Sequence, residues 1–78
     1  MHKAVLVAFF EEIGFSTNAH IPLNSIQRHF RKDLRGFCRK TLKELVKMGL
    51  VTKHPTGGSM TYSLTSEGVN KIKELLKK

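Results

Sequence analysis

The stretch from residue 34 to residue 64 constrains the fold most, because a helix pattern, a helix stop and a strand pattern follow one another in it. Apolar residues recur there every three or four positions, which predicts a helix over residues 34–48 with one buried face. Those residues are Leu34, Cys38, Leu42, Leu45 and Met48. Gly49 can adopt the left-handed conformation that ends many helices. The alternation after it predicts two short strands, joined by a turn around Pro55, Gly57 and Gly58.

The other face of the predicted helix is basic, and its cations recur every four residues, so that their side chains form one ridge. The ridge consists of Arg35, Arg39, Lys43 and Lys47, with Lys40 beside it. Residues 28–54 contain nine Lys or Arg and only two acidic residues, so most of the chain's net charge of +8 lies in this third of it. Such a concentrated positive charge indicates a polyanionic partner, and we expect nucleic acid.

The residues from the end of this helix onward resemble a known family. A helix that ends in Gly-Leu-Val, a Gly-Gly hairpin and a Thr-Tyr-x-Leu-Thr-x-x-Gly segment are similar to the recognition helix and wing of winged helix-turn-helix DNA-binding domains. The residues that carry the resemblance are Leu42, Leu45, Gly49, Leu50, Val51, Gly57, Gly58, Thr61, Tyr62, Leu64, Thr65 and Gly68. The likeness is greatest to small prokaryotic transcription regulators of the MarR-like and ArsR-like kind. It implies an α+β winged-helix fold in which residues 1–78 form one domain, with three helices, a two- to three-stranded antiparallel wing and a closing helix.

The first helix is predicted over residues 1–13, where Gly14 stops it. Its seven consecutive apolar residues, 4–10, surround the helix instead of lining one face. Two interpretations fit this pattern. The helix is either central to a small core, or its second face packs against another subunit.

A short strand and two more helices are predicted around the basic region. Pro22 pushes Ile21 into an extended conformation, which suits a short first strand. The apolar spacing of residues 23–30 predicts the positioning helix of the helix-turn-helix. Thr65 is a good N-cap for the closing helix. That helix has an apolar stripe and is followed by two cations at its C-terminus; these residues are Val69, Ile72, Leu75, Leu76, Lys77 and Lys78.

The helix-turn-helix resemblance assigns roles to the basic residues. In such a motif the first helix crosses the DNA backbone and the second enters the major groove. Arg35 and Arg39 lie toward the helix N-terminus, which reaches base edges, and arginine can make the bidentate contact to guanine that carries base readout. Lys43 and Lys47 are better placed for phosphates. The predicted DNA-binding residues are Arg28, Arg31, Lys32, Arg35, Arg39, Lys40, Lys43, Lys47, Lys53, His54, Thr56 and Ser59.

The sequence predicts no metal site, cofactor or catalytic centre. Its four histidines are scattered, without the paired spacing of a zinc site. Cys38 lies on the apolar face of the predicted helix, so we expect a small buried residue and not a thiol sensor. No nucleophile and base can be placed together, and we therefore expect a protein that is not an enzyme.

The single cysteine, the absence of a cleavable signal pattern and the shortness of the longest apolar run favour a cytoplasmic protein without a membrane role. We expect it to bind double-stranded DNA as a homodimeric transcriptional regulator. Two alternatives remain open. One is an adaptor that docks on another protein in a transcription, replication or RNA-processing assembly. The other is an RNA-binding winged helix, because charge alone does not distinguish the phosphates of RNA from those of DNA.

Overall fold

A computed structural model describes residues 1–77 and contains helices and one antiparallel sheet. In chain order the elements are α1 (His2–Ile13), β1 (Ile21–Pro22), α2 (Leu23–Gln27), a 3₁₀ turn (Lys32–Leu34), α3 (Arg35–Lys47), β2 (Val51–Pro55), β3 (Met60–Leu64) and α4 (Ser66–Leu76). The predicted α+β class and the predicted order of elements are confirmed. Lys78, expected just after the closing helix, lies outside the described residues.

Helix α1 is central to the core, because it contacts α2, α3 and α4. It ends at Gly14, which has a φ of 63°. Ala4 stays exposed and Val7 is only half-buried, since a helix that is apolar on all sides cannot be covered completely by three neighbours. The central position expected by the first interpretation is therefore observed, and the contact with another subunit expected by the second stays a prediction. Its buried residues are Val5, Leu6, Ala8 and Phe9.

Helix α2 is shorter than predicted, because it ends at Gln27 and not at Phe30. The amides of His29 and Phe30 bond to carbonyls only three residues back, at 3.1 and 3.0 Å, which tightens the chain into a turn. The ring of His29 is directed toward α1, where its nitrogens lie 3.3 Å from Glu11 and 3.2 Å from Glu12. The apolar spacing continues to Phe30, so it could not indicate that the helix ends at Gln27.

Helix α3 agrees with the predicted helix to within one residue at each end, and a single 3₁₀ turn precedes it. Met48 was expected on the buried face, but it is 57% exposed. Met48 is the C-cap and lies beyond Leu45, the last buried residue of α3, so it falls past the covered part of this face. Gly49 then takes the left-handed conformation with a φ of 77°, as predicted. The buried residues of α3 are Cys38, Thr41, Leu42 and Leu45.

The sheet has the strand order β1-β3-β2, so the β2–β3 hairpin forms the wing and the two-residue β1 pairs with its inner strand. In β1, Ile21 lies opposite Tyr62, and in β2, Lys53 lies opposite the same residue. Pro55 belongs to the edge strand β2, where a missing amide donor is tolerated. The turn itself spans residues 56–59 and is closed by a 2.8 Å bond from the amide of Thr56 to the carbonyl of Ser59.

Helix α4 begins where the sequence places it. The Thr65 hydroxyl accepts the amide N–H of Gly68 at 3.0 Å and donates to the carbonyl of Gly49 at 2.6 Å, which ties α4 to the end of α3. A Cβ at Gly68 would collide with the carbonyl oxygen of Leu50, so the helix can lie this close only with glycine there. The predicted stripe is buried at Val69 and Ile72 and half-buried at Leu75, whereas Leu76 is 44% exposed because the helix ends with it.

Candidate nucleic-acid interface

The face of α3 turned toward the wing forms a hollow that is lined by cations. Lys43 and Lys47 line it from α3, and Lys53 lines it from β2. The apolar lining residues are Val46, Met60 and Tyr62. Three cations from two elements therefore face one space of about 290 Å³, an arrangement suited to binding phosphate groups.

Arg39 lies in a second hollow toward the N-terminal end of α3. The residues around it come from β1, α2 and the tip of the wing: Pro22, Leu23, Asn24, Gln27, Ser59 and Met60. The side chain of Arg39 is itself exposed. An arginine at this point can reach a molecule that touches α2, α3 and the wing at the same time.

The predicted ridge of α3 turns around the helix. Residues four apart are rotated by about 40° relative to each other, so the ridge turns by about 120° from Arg35 to Lys47. Arg35 is half-buried, whereas Arg39, Lys43 and Lys47 are exposed. The outward surface of α3 is therefore formed by the later members of the ridge together with exposed Lys40.

Arg35 is placed differently from the other cations. Its carbonyl oxygen accepts a 3.2 Å hydrogen bond from the side-chain amide of Gln27, which fixes the first turn of α3 against α2. Its Nε is buried and has no hydrogen-bond partner within residues 1–77. The backbone at Arg35 is thus held by α2, whereas its Nε has no partner in the described residues.

The pKa of Tyr62, which lines the first hollow, depends on burial and on nearby charge. Burial raises the pKa of the Tyr62 hydroxyl above its ordinary value of 10.0, and a negative charge on neighbouring Cys38 would raise it further. The guanidinium of Arg39 opposes both, because a positive charge favours the phenolate. Arg39 is therefore close enough to the wing for its charge to act on the inner strand.

The cations of α3 and β2 have no acidic partner within 4 Å in the described part of the chain. The one acidic residue of α3, Glu44, is paired instead with the ring of His2 at 2.7 Å. The basic residues before α3 differ, since Arg28 lies 3.4 Å from Glu12 and Arg31 lies 3.2 Å from Asp33. Lys32, in the 3₁₀ turn, is exposed and has no such partner in residues 1–77.

Of the predicted DNA-binding residues of the wing, only Lys53 lines the hollow that Lys43 and Lys47 share. Because side chains alternate along a strand, His54 lies on the sheet face opposite to Lys53. The ring of His54 stacks on His20 with centroids 4.0 Å apart, and its Nε2 lies 2.9 Å from the hydroxyl of Ser63. Thr56 donates a 2.8 Å bond to the carbonyl of Ser59 at the exposed tip. DNA contacts of His54, Thr56 and Ser59 stay a prediction.

Histidines, the cysteine and long apolar helices are the remaining features from which a metal site, a thiol sensor or a membrane span could form. No group of three or more His, Cys, Asp or Glu side chains within residues 1–77 is arranged to hold a metal ion. Cys38 is fully buried, as predicted, and burial raises the pKa of its thiol. No helix in the described residues is long and apolar enough to cross a membrane.

Sequence reasoning missed Phe37. This side chain is 59% exposed on the first half of α3, beside the predicted DNA-binding residues. Its helical position did not indicate this, because Phe37 lies only about 20° around the helix from Met48, which the apolar spacing placed on the buried face.

Comparisons with known proteins give the fold. A scan against protein-family models and a search of curated protein sequences both give no match. The chain matches the structure of Bacillus subtilis PadR in complex with operator DNA with a TM-score of 0.71 and 18% identity, over 99% of this chain and 46% of PadR. It also matches a structure described as a possible transcriptional regulator for arsenical resistance with a TM-score of 0.61 and 20% identity, over 96% of this chain and 80% of the other. The chain thus has the winged-helix fold and spans about half the length of PadR.

Proposed function

We propose that this winged-helix chain is a transcriptional regulator that binds double-stranded DNA in a sequence-specific manner. The observation that carries the proposal is the set of cations without acidic partners that faces the hollow between α3 and the wing, namely Lys43, Lys47 and Lys53. Cations so close together repel one another, and a polyanion removes that repulsion when it binds. The known winged-helix structure that contains operator DNA supports this choice of polyanion.

In the proposed complex α3 enters the major groove, whose width of about 12 Å accepts one helix. Arg39 is then directed at base edges near the N-terminal half of α3, and Arg35 is the alternative. Lys43 and Lys47 contact phosphates along the same groove. Lys53 and the tip of the wing reach the adjacent phosphates or minor groove. Arg28, Arg31 and Lys32, which precede α3, approach the DNA backbone near the N-terminus of that helix.

The test is a selection of bound duplexes from a random pool. We expect enrichment of a short motif that appears twice as a palindrome. Binding without any enriched motif would contradict sequence-specific regulation. An A-form RNA duplex of the selected sequence is the control, because its deep, narrow major groove does not admit a helix. Equal affinity for both duplexes would favour an RNA-binding role, and weak binding to both would favour a protein-binding adaptor.

The palindrome follows from the proposed homodimer, in which α1 supplies the contact. The exposed side of α1 includes Ala4 and Val7 and borders a hollow that also contains Lys3, Glu11 and Phe30. Lys3 and Glu11 lie four residues on either side of Val7. A two-fold axis through Val7 would therefore place Lys3 beside Glu11 of the second copy and join the apolar surfaces.

Sedimentation at micromolar concentration tests the dimer. We expect a dimer for the unmodified chain and a monomer for Val7→Glu, which places an unpaired charge in the centre of the contact. Lys3→Glu should weaken the dimer, and the double variant Lys3→Glu with Glu11→Lys should restore it. A monomer at all accessible concentrations would remove the dimer from the proposal. The proposed role in transcription includes no catalytic step and places the protein in the cytoplasm.

A further inference from the structure

Phe37 is the most exposed large apolar side chain in the described residues. Phe15 is 45% exposed, but its ring lies 5.0 Å from that of Phe10 and 5.3 Å from the ammonium of Lys73. Phe37 has no ring or cation partner of this kind within residues 1–77. Its ring is therefore available to a molecule other than this chain.

Phe37 lies close to the proposed base-reading residue along the helix axis, but on the other flank of the helix. It lies in the first turn of α3, two residues before Arg39, and so on the opposite flank of the helix. Exposed Lys40 follows it one turn later. Glu44, on the same flank two turns later, is occupied by His2, whereas the flank at Phe37 is uncovered.

Gly36 adds an independent observation at the same place. It lies within a helix, where glycine is a poor choice, yet a Cβ there would meet no atom within 4 Å. Packing within residues 1–77 therefore gives no reason for glycine at this position. A missing side chain does allow another molecule to approach the backbone closely. The first turn of α3 thus combines a low surface at Gly36 with a projecting ring at Phe37.

We propose that Phe37 is a specificity-determining residue that packs its ring on the C5-methyl group of a thymine in the major groove. The inference rests on the proposed function, because it requires α3 to lie in that groove. Among the base edges exposed there, thymine offers an apolar methyl group and the other bases offer hydrogen-bonding atoms. A phenylalanine ring can contact that methyl group and cannot satisfy the hydrogen-bonding atoms, so it distinguishes thymine from the other bases.

The test removes the methyl group and the ring separately. Each thymine of the selected duplex is replaced in turn by uracil, which lacks only the methyl group, and affinities are measured for the unmodified chain and for Phe37→Ala. We expect the unmodified chain to lose about fourfold in affinity at one thymine per half-site, the effect of one methyl-sized group. Phe37→Ala should bind the thymine duplex more weakly and show no preference for thymine over uracil.

Met48→Ala is the matched control. Met48 is 57% exposed on the same flank of α3, but it lies about 16 Å further along the helix axis. This variant should keep the preference of the unmodified chain. The same preference in Phe37→Ala, or no effect of uracil at any position, would overturn the inference while the proposed function survives. A selected site without thymine would also overturn it. If the unmodified chain did not distinguish the selected duplex from a scrambled one, both proposals would fail.

Gly36→Ala separates binding from folding. Because its Cβ meets open space and alanine favours the helix, the variant should melt at the same or a higher temperature. Its affinity for the selected duplex should nevertheless fall. Unchanged affinity would contradict a close approach of DNA to this turn, and with it the proposed position of Phe37.

Discussion

Among the predicted DNA-binding residues, two groups of cations differ in their partners. Before α3, Arg28 and Arg31 each lie beside a carboxylate, at 3.4 and 3.2 Å. On α3 and β2, Lys43, Lys47 and Lys53 line one hollow and have no acidic partner in the described residues. Net charge alone does not distinguish the two groups. The structure shows that a carboxylate neutralises the cations of the first group, whereas none within the part of the chain that it describes neutralises those of the second.

This difference indicates which cations act on another molecule. Exposed ion pairs contribute little to stability, and their cations bind phosphate only after they leave a carboxylate. Cations that share a hollow without an acid gain from any phosphate that enters it. The affinity for DNA should therefore depend mainly on α3 and the wing, and less on the residues before α3.

The largest effect is expected from reversing charge in one group at a time. Lys43→Glu with Lys47→Glu should weaken duplex binding by more than about 100-fold, because two phosphate contacts become repulsive. Arg28→Glu with Arg31→Glu makes the same change in net charge and should cost less than about tenfold. Fluorescence titration with the selected duplex measures both, and melting curves establish that both variants are folded. Equal losses would show that the carboxylate partners make no difference.

Among the cations without an acidic partner in the described part of the chain, Arg39 and Lys43 should differ in how their removal affects sequence specificity. Arg39→Ala should cost about 1 to 3 kcal/mol on the selected duplex and less on a scrambled one, because a base contact is lost. Lys43→Ala should weaken binding to both duplexes alike and reduce the salt slope by about 1. Titrations of both duplexes at several salt concentrations decide this. If Arg39→Ala and Arg35→Ala both affected the two duplexes equally, neither residue would read bases.

A smaller effect is expected from removing a carboxylate from the paired group. Asp33→Asn leaves Arg31 without its partner and takes a negative charge from the DNA-facing side, so duplex affinity should rise about two- to fivefold. The free energy of unfolding should change by less than about 1 kcal/mol, because both side chains are well exposed. Isothermal titration calorimetry measures the duplex affinity, and urea titration measures the free energy of unfolding. A fall in affinity would mean that the pair itself positions the DNA-binding surface.

The smallest effect concerns alkaline pH. Folding raises the pKa of the Tyr62 hydroxyl above 10.0, so its stabilising contribution is complete below that pH and decreases as pH rises through the pKa of the folded state. Arg39→Ala should raise this pKa further, because the guanidinium that favours the phenolate is lost. Arg28→Ala should leave it unchanged. Tyr62 is the only tyrosine, so its phenolate absorbance reports the pKa directly. A lower pKa in Arg39→Ala would contradict the placement of Arg39 near the wing.

The fold could be predicted to a large extent because its boundaries are local. The apolar spacing of α3, the stop at Gly49 and the cap at Thr65 all lie within a few residues of the element they define. The end of α2 could not be predicted in this way, since the apolar spacing continues to Phe30 although the chain tightens into a turn after Gln27.

The sequence predicted which basic residues belong to the candidate site, but not how they are arranged in space. Spacing identified Arg39, Lys43 and Lys47, yet it could not show that Lys53 faces the same hollow, because that requires the register of the hairpin. It also could not separate half-buried Arg35 from exposed Arg39. Charge could not indicate Phe37, and the exposure of its ring follows only from knowing which face of α3 is buried.

The most direct test of the central claim is an NMR titration of the isotope-labelled chain with the selected duplex. We expect the largest amide shift changes in α3, with further changes at Lys53 and in residues 56–59 of the wing, and little change in α4. The scrambled duplex should move the same signals less at equal concentration. Changes concentrated in α4, with the signals of residues 35–47 unmoved, would contradict the assignment of α3 as the DNA-binding helix.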